Sequence, residues 1–174
     1  MQRHAAFLRG VSPMNCKMPA LAEALAAAGL RDVKTVLSSG NVVFSGGGTP
    51  FALQKKCEAA MQKHMGRSFQ TFVRQISELE ALLASDPFAG QRLPAGSKKI
   101  VTFLHAEPAD LPRLPIAKGD ARIHVVLGRE AFSTYVPGPD GPVFMAVIER
   151  TFGKDVTTRT WETVRKVCAA AQGA

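Results

Sequence analysis

Val33-Lys34-Thr35-Val36-Leu37-Ser38-Ser39-Gly40-Asn41-Val42-Val43-Phe44-Ser45 is the stretch on which the fold turns. Two β-branched and apolar runs, Val33–Ser38 and Asn41–Ser45, flank Ser39-Gly40, so they predict a β-hairpin. Upstream, Met18, Leu21 and Leu25 recur at helical spacing and stop at Gly29. A strand over His4–Gly10 precedes that helix across the loop Val11–Lys17, marked by Ser12, Pro13 and Asn15. Downstream, Gly46-Gly47-Gly48 reads as a flexible connector. It lacks the Lys-Ser/Thr that a phosphate cradle would carry. Thr49 as N-cap and Pro50 at N1 predict a second helix with Leu53, Cys57, Met61 and Met65 on one face, ended by Gly66. Phe69–Arg74 follows as a strand. Ser77 and Glu80 read as a capping box for a short helix carrying Leu79, Leu82 and Leu83, and Pro87 closes the unit.

The order β-α-β-β-α-β predicts an α+β fold of the ferredoxin-like, split βαβ kind over residues 1–88. Residues 89–174 read as a second α+β subdomain, a truncated echo followed by a C-terminal helix, with mixed or antiparallel sheets. Lys99–His105 is its first strand, and the Pro-rich Pro108–Pro115 holds at most one helical turn. Arg122–Gly128 and Ala131–Val136 form a hairpin around Arg129-Glu130, and Pro137 to Gly141 is a turn cluster. Pro142 opens a helix with Phe144, Val147 and Ile148 inward. An extended Val156–Arg159 then leads to a helix lined by Trp161, Val164, Cys168 and Ala171. The self-similarity of the halves lies in element order and is weak residue by residue. Val42-Val43-Phe44, Ile100-Val101 and Val125-Val126-Leu127 are apolar on both faces, which calls for cover on both, from the other subdomain or from a second copy of the chain.

Composition bounds the function. The 174 residues hold 46% hydrophobic and 21% charged side chains, the balance of a globular protein rather than a disordered one. No apolar run approaches the roughly 20 residues of a membrane span, and no signal segment is expected. Three cysteines without CxxC spacing argue against a disulfide framework and a zinc site, and point to the cytoplasm. The net charge of +8 is shared evenly between the halves, so no basic tail concentrates it. Such a balance draws small anions, and equally keeps a surface soluble.

No HxxxH, DxD or GxGxxG pattern occurs, and His4, His64, His105 and His124 stand in no motif. No catalytic residue, metal or cofactor is therefore assigned. Cys57 and Cys168 fall on inward helical faces. Cys16, in a loop beside Lys17, is the candidate reactive thiol, because a neighbouring cation stabilises thiolate. Polar groups at strand ends remain. Arg9 closes the first strand and Asn41 follows the hairpin tip, a position that also suits a tight turn. Thr158 and Arg159 precede the last helix, where backbone N–H groups can meet an anion and where Thr160 can instead act as a cap.

Phe7-Leu8-Arg9-Gly10-Val11, Met18-Pro19-Ala20-Leu21, Val36 to Phe44, Asp86-Pro87-Phe88, Val101-Thr102-Phe103-Leu104, Tyr135 and Thr157-Thr158-Arg159-Thr160-Trp161 occur in the order of the bacterial domain-of-unknown-function family numbered 1697. The chain resembles that family over nearly its whole length. The resemblance implies a cytoplasmic bacterial protein of two ferredoxin-like subdomains, with no established activity. Where the family continues Ile-Asn-Val-Gly-Gly-x-Asn, this chain has Val11-Ser12-Pro13-Met14-Asn15-Cys16-Lys17, and Pro13 removes a backbone donor that an anion nest would use. The family's Thr-Arg-Asn-Trp-Asn-Thr becomes Thr158-Arg159-Thr160-Trp161-Glu162-Thr163, so Glu162 competes with an external anion for the helix start.

The expected function is a binding module for a small phosphate- or carboxylate-bearing ligand in a cleft between the subdomains. Arg9, Lys17, Asn41, Thr158 and Arg159 would hold it, in a monomer or homodimer. Nucleic-acid binding on a basic surface, with Phe7 and Phe44 as the available stacking rings, and an uncharacterised enzyme are the alternatives. No membrane partner is expected.

Overall fold

The computed structural model describes residues 1–138 and 143–173. It is an α+β fold with two antiparallel sheets and five helices. The chain divides into two compact units, Met1–Ala84 with Val164–Ala174, and Ser85–Thr163. This division falls four residues before the expected 88/89 boundary, and it groups the C-terminal helix with the first unit from Val164 on.

The first unit runs β1 (Gln2–Leu8), α1 (Met18–Ala27), β2 (Arg31–Val36), β3 (Asn41–Gly46), α2 (Pro50–Met65), β4 (Thr71–Gln75) and α3 (Ile76–Ser85), with strand order β2-β3-β1-β4. Local chemistry sets the helix ends. Thr49 Oγ1 accepts the Ala52 N–H at 3.1 Å, Pro50 occupies the first turn of α2, and Gly66 ends it at φ 76°, a conformation that costs glycine little. One face of the sheet, with Ala6, Leu8, Val42, Phe44 and Val73, packs on Leu21 and Leu25 of α1 and on Leu53, Cys57 and Met61 of α2. Burying each of the Val, Leu, Phe and Met side chains among them contributes about 1.5–3 kcal/mol.

Three details differ from the sequence reading. β1 starts two residues earlier and ends at Leu8, leaving Arg9 and Gly10 beyond it. Gly46 belongs to β3, where an added Cβ would lie 3.1 Å from Leu30 and 3.2 Å from Leu53. It is a close-packing position rather than a flexible link. α3 springs directly from β4, and its reciprocal cap runs from the Gln75 N–H to Glu78 Oε2 at 3.4 Å. The cap is two residues upstream of the Ser77/Glu80 box because Ile76, 4% exposed, must enter the core.

The second unit runs β5 (Lys98–Leu104), β6 (Ile116–Lys118), β7 (Ala121–Leu127), β8 (Glu130–Tyr135), α4 (Phe144–Phe152), β9 (Val156–Thr160) and the start of α5 (Trp161–Gln172), with strand order β6-β7-β8-β5-β9. Every described pairing in both sheets is antiparallel, so neither is mixed. Residues 108–115 form no helix, and β6, unforeseen in the sequence, follows them to edge the sheet. The expected turn cluster and the Pro142 helix start lie partly outside the described residues. Leu104, Ala121, Ile123, Val147, Ile148 and Val156 make the core against α4. Phe88, Phe132 and Trp161 meet edge to face at 5.6–5.7 Å between centroids.

The two sheets repeat one another residue for residue in register. Phe7 lies opposite Asn41 and Phe72, as Phe103 lies opposite Glu130 and Thr157. Ala5 lies opposite Val43 and Arg74, as Val101 lies opposite Phe132 and Arg159. A register shift between Arg31 and Lys34 of β2 recurs between Ile123 and Val125 of β7. Beside each shift a hydroxyl of the next strand braces the irregular one. Ser45 Oγ donates to Asp32 Oδ2 at 3.3 Å, and Thr134 Oγ1 lies 2.7 Å from His124 Nε2. The Leu8 N–H donates to the Gly40 carbonyl at 2.8 Å, and the Leu104 N–H to the Arg129 carbonyl at 2.9 Å.

Candidate functional site

In the first unit, Arg9 follows the end of β1, Asn41 opens β3 opposite Phe7 of β1, and Lys17 precedes α1. The Arg9 N–H donates to the Gln70 carbonyl at 2.8 Å, tying the exit of β1 to the entry of β4. The following loop closes on itself. Asn15 Oδ1 accepts the Ser12 N–H at 2.9 Å, its Nδ2 donates to the Gly10 carbonyl at 2.8 Å, and the Ser12 carbonyl accepts the Cys16 N–H at 3.1 Å. Ser12 Oγ accepts the Met14 N–H at 3.3 Å. Backbone donors that a glycine-rich turn would aim at an anion are thus engaged inside the loop. Lys17 Nζ donates to the Pro13 carbonyl at 3.2 Å.

Asn41 is fully buried, and its amide donates to the Val36 carbonyl and to Ser39 Oγ, both at 3.0 Å. It therefore holds the turn Leu37–Gly40, in which Leu37 takes φ 61° and Gly40 φ 88°. Gly40 is required there, since a Cβ would meet Val11 Cβ at 2.9 Å. Cys16 is the residue whose surroundings differ most from the sequence reading. It is 4% exposed within the first unit's core, and burial raises its thiol pKa despite the charge of Arg67. That is the opposite of the direction a thiolate nucleophile needs. The loop carries it inward because Val11 and Met18, on either side, also pack on the core. Cys57 and Cys168 are buried as expected, their thiols pushed up to about 12 and about 11 by desolvation first and by Glu58 and Glu80 second.

In the second unit, Thr158 and Arg159 lie in β9. Arg159 Nη1 donates to Thr157 Oγ1 at 2.8 Å and to the Thr158 carbonyl at 2.7 Å. Desolvation brings its pKa down to about 10. Arg74 holds the corresponding place in β4, with its Nη1 donating to the Val73 carbonyl at 3.0 Å. The pairing of these two arginines went unseen in the sequence, because 85 residues separate them and only strand register equates them. Thr158 Oγ1 contacts Met145 Sδ at 3.6 Å. Thr160 Oγ1 accepts the Thr163 N–H at 3.2 Å and caps α5.

Other expectations meet plain geometry. Phe7 and Phe44, the rings available for stacking bases, are both fully buried, whereas RNA-binding sheets expose theirs. Among the described residues no group of three or more His, Cys, Asp or Glu could hold a metal ion, and no helix is long and apolar enough to cross a membrane. Sequence reasoning took His105 for an ordinary surface histidine and passed over Asp155. His105 Nε2 lies 3.7 Å from Asp155 Oδ1, a proximity that depends on β5 pairing with β9.

No curated protein matches the chain. Among solved structures, the conserved bacterial protein SP0830 from Streptococcus pneumoniae is similar at a TM-score of 0.67 and 18% identity, over 99% of each chain. At that identity the likeness speaks to the fold alone. The sequence model described as "Protein of unknown function (DUF1697)" matches residues 1–132, ending before the Thr157 to Trp161 string. That span covers most of the 174 residues, and the chain belongs to the DUF1697 family.

Proposed function

We propose that the protein is a binding module for a small anionic ligand bearing phosphate or carboxylate, with Arg159 as the principal contact. The observation that carries this reading is a half-buried guanidinium held in place on β9 by its bonds to Thr157 Oγ1 and the Thr158 carbonyl. Burial lowers the Arg159 pKa to about 10, and a desolvated guanidinium gains from a bidentate anion. Its Nη1 is already oriented by Thr157 and Thr158, so little side-chain freedom remains to be lost on binding. The net charge of +8 favours encounter with anions. In the first unit Arg9 and Lys17 are further candidate cations, and Asn41 holds the Leu37–Gly40 turn. The ferredoxin-like topology that we ascribe to both units is supported by the strand orders β2-β3-β1-β4 and β7-β8-β5-β9. A cytoplasmic setting is supported by three free, buried thiols.

Calorimetric titration and thermal shift with inorganic phosphate, AMP and citrate test the function. At least one should bind, and Arg159→Met, which keeps an apolar stem, should weaken it by about tenfold or more. No binding of any of the three at about 10 mM, or binding indifferent to Arg159→Met, would end the reading.

A further inference from the structure

We infer that the second unit carries a separate site for a small protonated amine, in the cavity between the end of α4 and the segment leaving β5. The inference is independent of the anion reading and uses none of its residues. The cavity has a volume of about 270 Å³. With a water's share of liquid volume about 30 Å³, it takes a molecule of roughly ten non-hydrogen atoms. Leu104, Pro108 and Phe152 supply apolar wall for a short alkyl or aryl body.

Apart from the His105 ring, which faces Asp155, the polar side chains of the lining are acceptors, and Arg150 is the basic residue already in the last turn of α4. Asp155 brings a carboxylate whose side chain is 69% exposed, and it stands 3.7 Å from His105 Nε2. Thr151 spends its hydroxyl proton on the Val147 carbonyl at 2.8 Å, so its oxygen offers lone pairs to the cavity. Thr151 and Phe152 form the last turn of α4, the end at which backbone carbonyls and the helix dipole favour positive charge. A carboxylate, a hydroxyl oxygen and a helix C-terminus around a small apolar hollow recognise a donor-rich cation and disfavour an anion. In a chain of net charge +8, long-range attraction works against such a ligand, so its binding has to come from local contacts.

The test is a ¹H–¹⁵N NMR titration with n-butylamine, n-butanol and butyrate, which share a body and differ in head group. n-Butylamine should shift the amides of Leu104, Ala106 and Phe152 with an affinity on the order of 1 mM. Butanol and butyrate should bind at least about tenfold more weakly. Asp155→Asn, at an exposed side chain, should weaken the amine by about tenfold with the melting temperature unchanged. Ala106→Phe, at an exposed position on the rim, should block it. Butyrate binding as tightly as the amine, an unchanged amine affinity in Asp155→Asn, or amine-induced shifts confined to other surfaces would each overturn the inference.

Discussion

β1 and β5 occupy the same place in their sheets, yet the chain leaves them in different ways. After β1, a self-bonded loop delivers α1, whose Leu21 and Leu25 join α2 over the sheet. After β5, a segment carrying Pro108, Pro112 and Pro115 forms no helix and ends in β6, an added edge strand. Proline withholds the backbone donors that a helix interior needs. The first unit therefore covers one face with two helices. The second covers the equivalent face with α4, and its cavity opens beside the segment that stands in for α1. At that corner Arg9 and Gln70 of the first unit correspond to His105 and Asp155 of the second. A shared register thus keeps the scaffold the same while the connection after the first strand decides which side chains line that corner.

The sharpest way to break the comparison is at the paired centres. Phe7 and Phe103 are both fully buried at equivalent positions. Phe7→Ala and Phe103→Ala should each cost about 3–5 kcal/mol in denaturant unfolding. A difference of more than about 2 kcal/mol between them would mean that the repeated register does not bring repeated packing.

The hairpin tips should differ instead. Gly40 combines φ 88° with Val11 at 2.9 Å, whereas Gly128, φ 59°, opens a two-residue turn with nothing within 4 Å of an added Cβ. Gly40→Ala should therefore cost about 2–4 kcal/mol, by left-handed strain and overpacking together, and Gly128→Ala about 1 kcal/mol by strain alone. Equal costs, read from the same unfolding curves, would remove the packing difference between the two tips.

The smallest effect concerns pH. His4, stacked on Phe44 at 5.7 Å, and His124 both have pKa values lowered chiefly by desolvation, with Arg122 adding to the shift at His124. Gln2 and Glu78 oppose the shift at His4. A histidine with a lowered folded pKa binds its proton more readily when unfolded. Its neutral form adds stability above the unfolded pKa of about 6.5, and that stability is lost as pH falls through the folded value. Melting temperatures at pH 7.5 and 5.5 should therefore diverge. His4→Phe should narrow the gap in the first unit's contribution without touching the part that His124 supplies. An unchanged gap would exclude His4 as a source of acid sensitivity.

Some of this was legible before any coordinates. The Thr49-Pro50 start and the Gly66 stop of α2, the inward faces of α1, α2, α4 and α5, and both hairpins follow from interactions between residues a few positions apart, which leave local signatures. The turn role of Asn41 is legible, because a side-chain amide beside Ser-Ser-Gly is a local signal, and its bonds to the Val36 carbonyl and Ser39 Oγ show it. Cys16 was not legible: only packing from distant strands and helices carries a loop thiol into a core. β6 escaped because three residues with no strong alternation carry almost no periodic signal.

By itself, then, the sequence determined the class of fold, the order of most elements, the caps that bound α2 and the absence of any known catalytic motif. These rest on short-range hydrogen bonds and on the periodicity of apolar side chains. Only the tertiary structure decided that the halves share one register, that Arg74 and Arg159 are counterparts, and that His105 and Asp155 line one cavity. Those relations join residues 50 or more positions apart. They arise from strand pairing and burial, which a linear pattern does not encode.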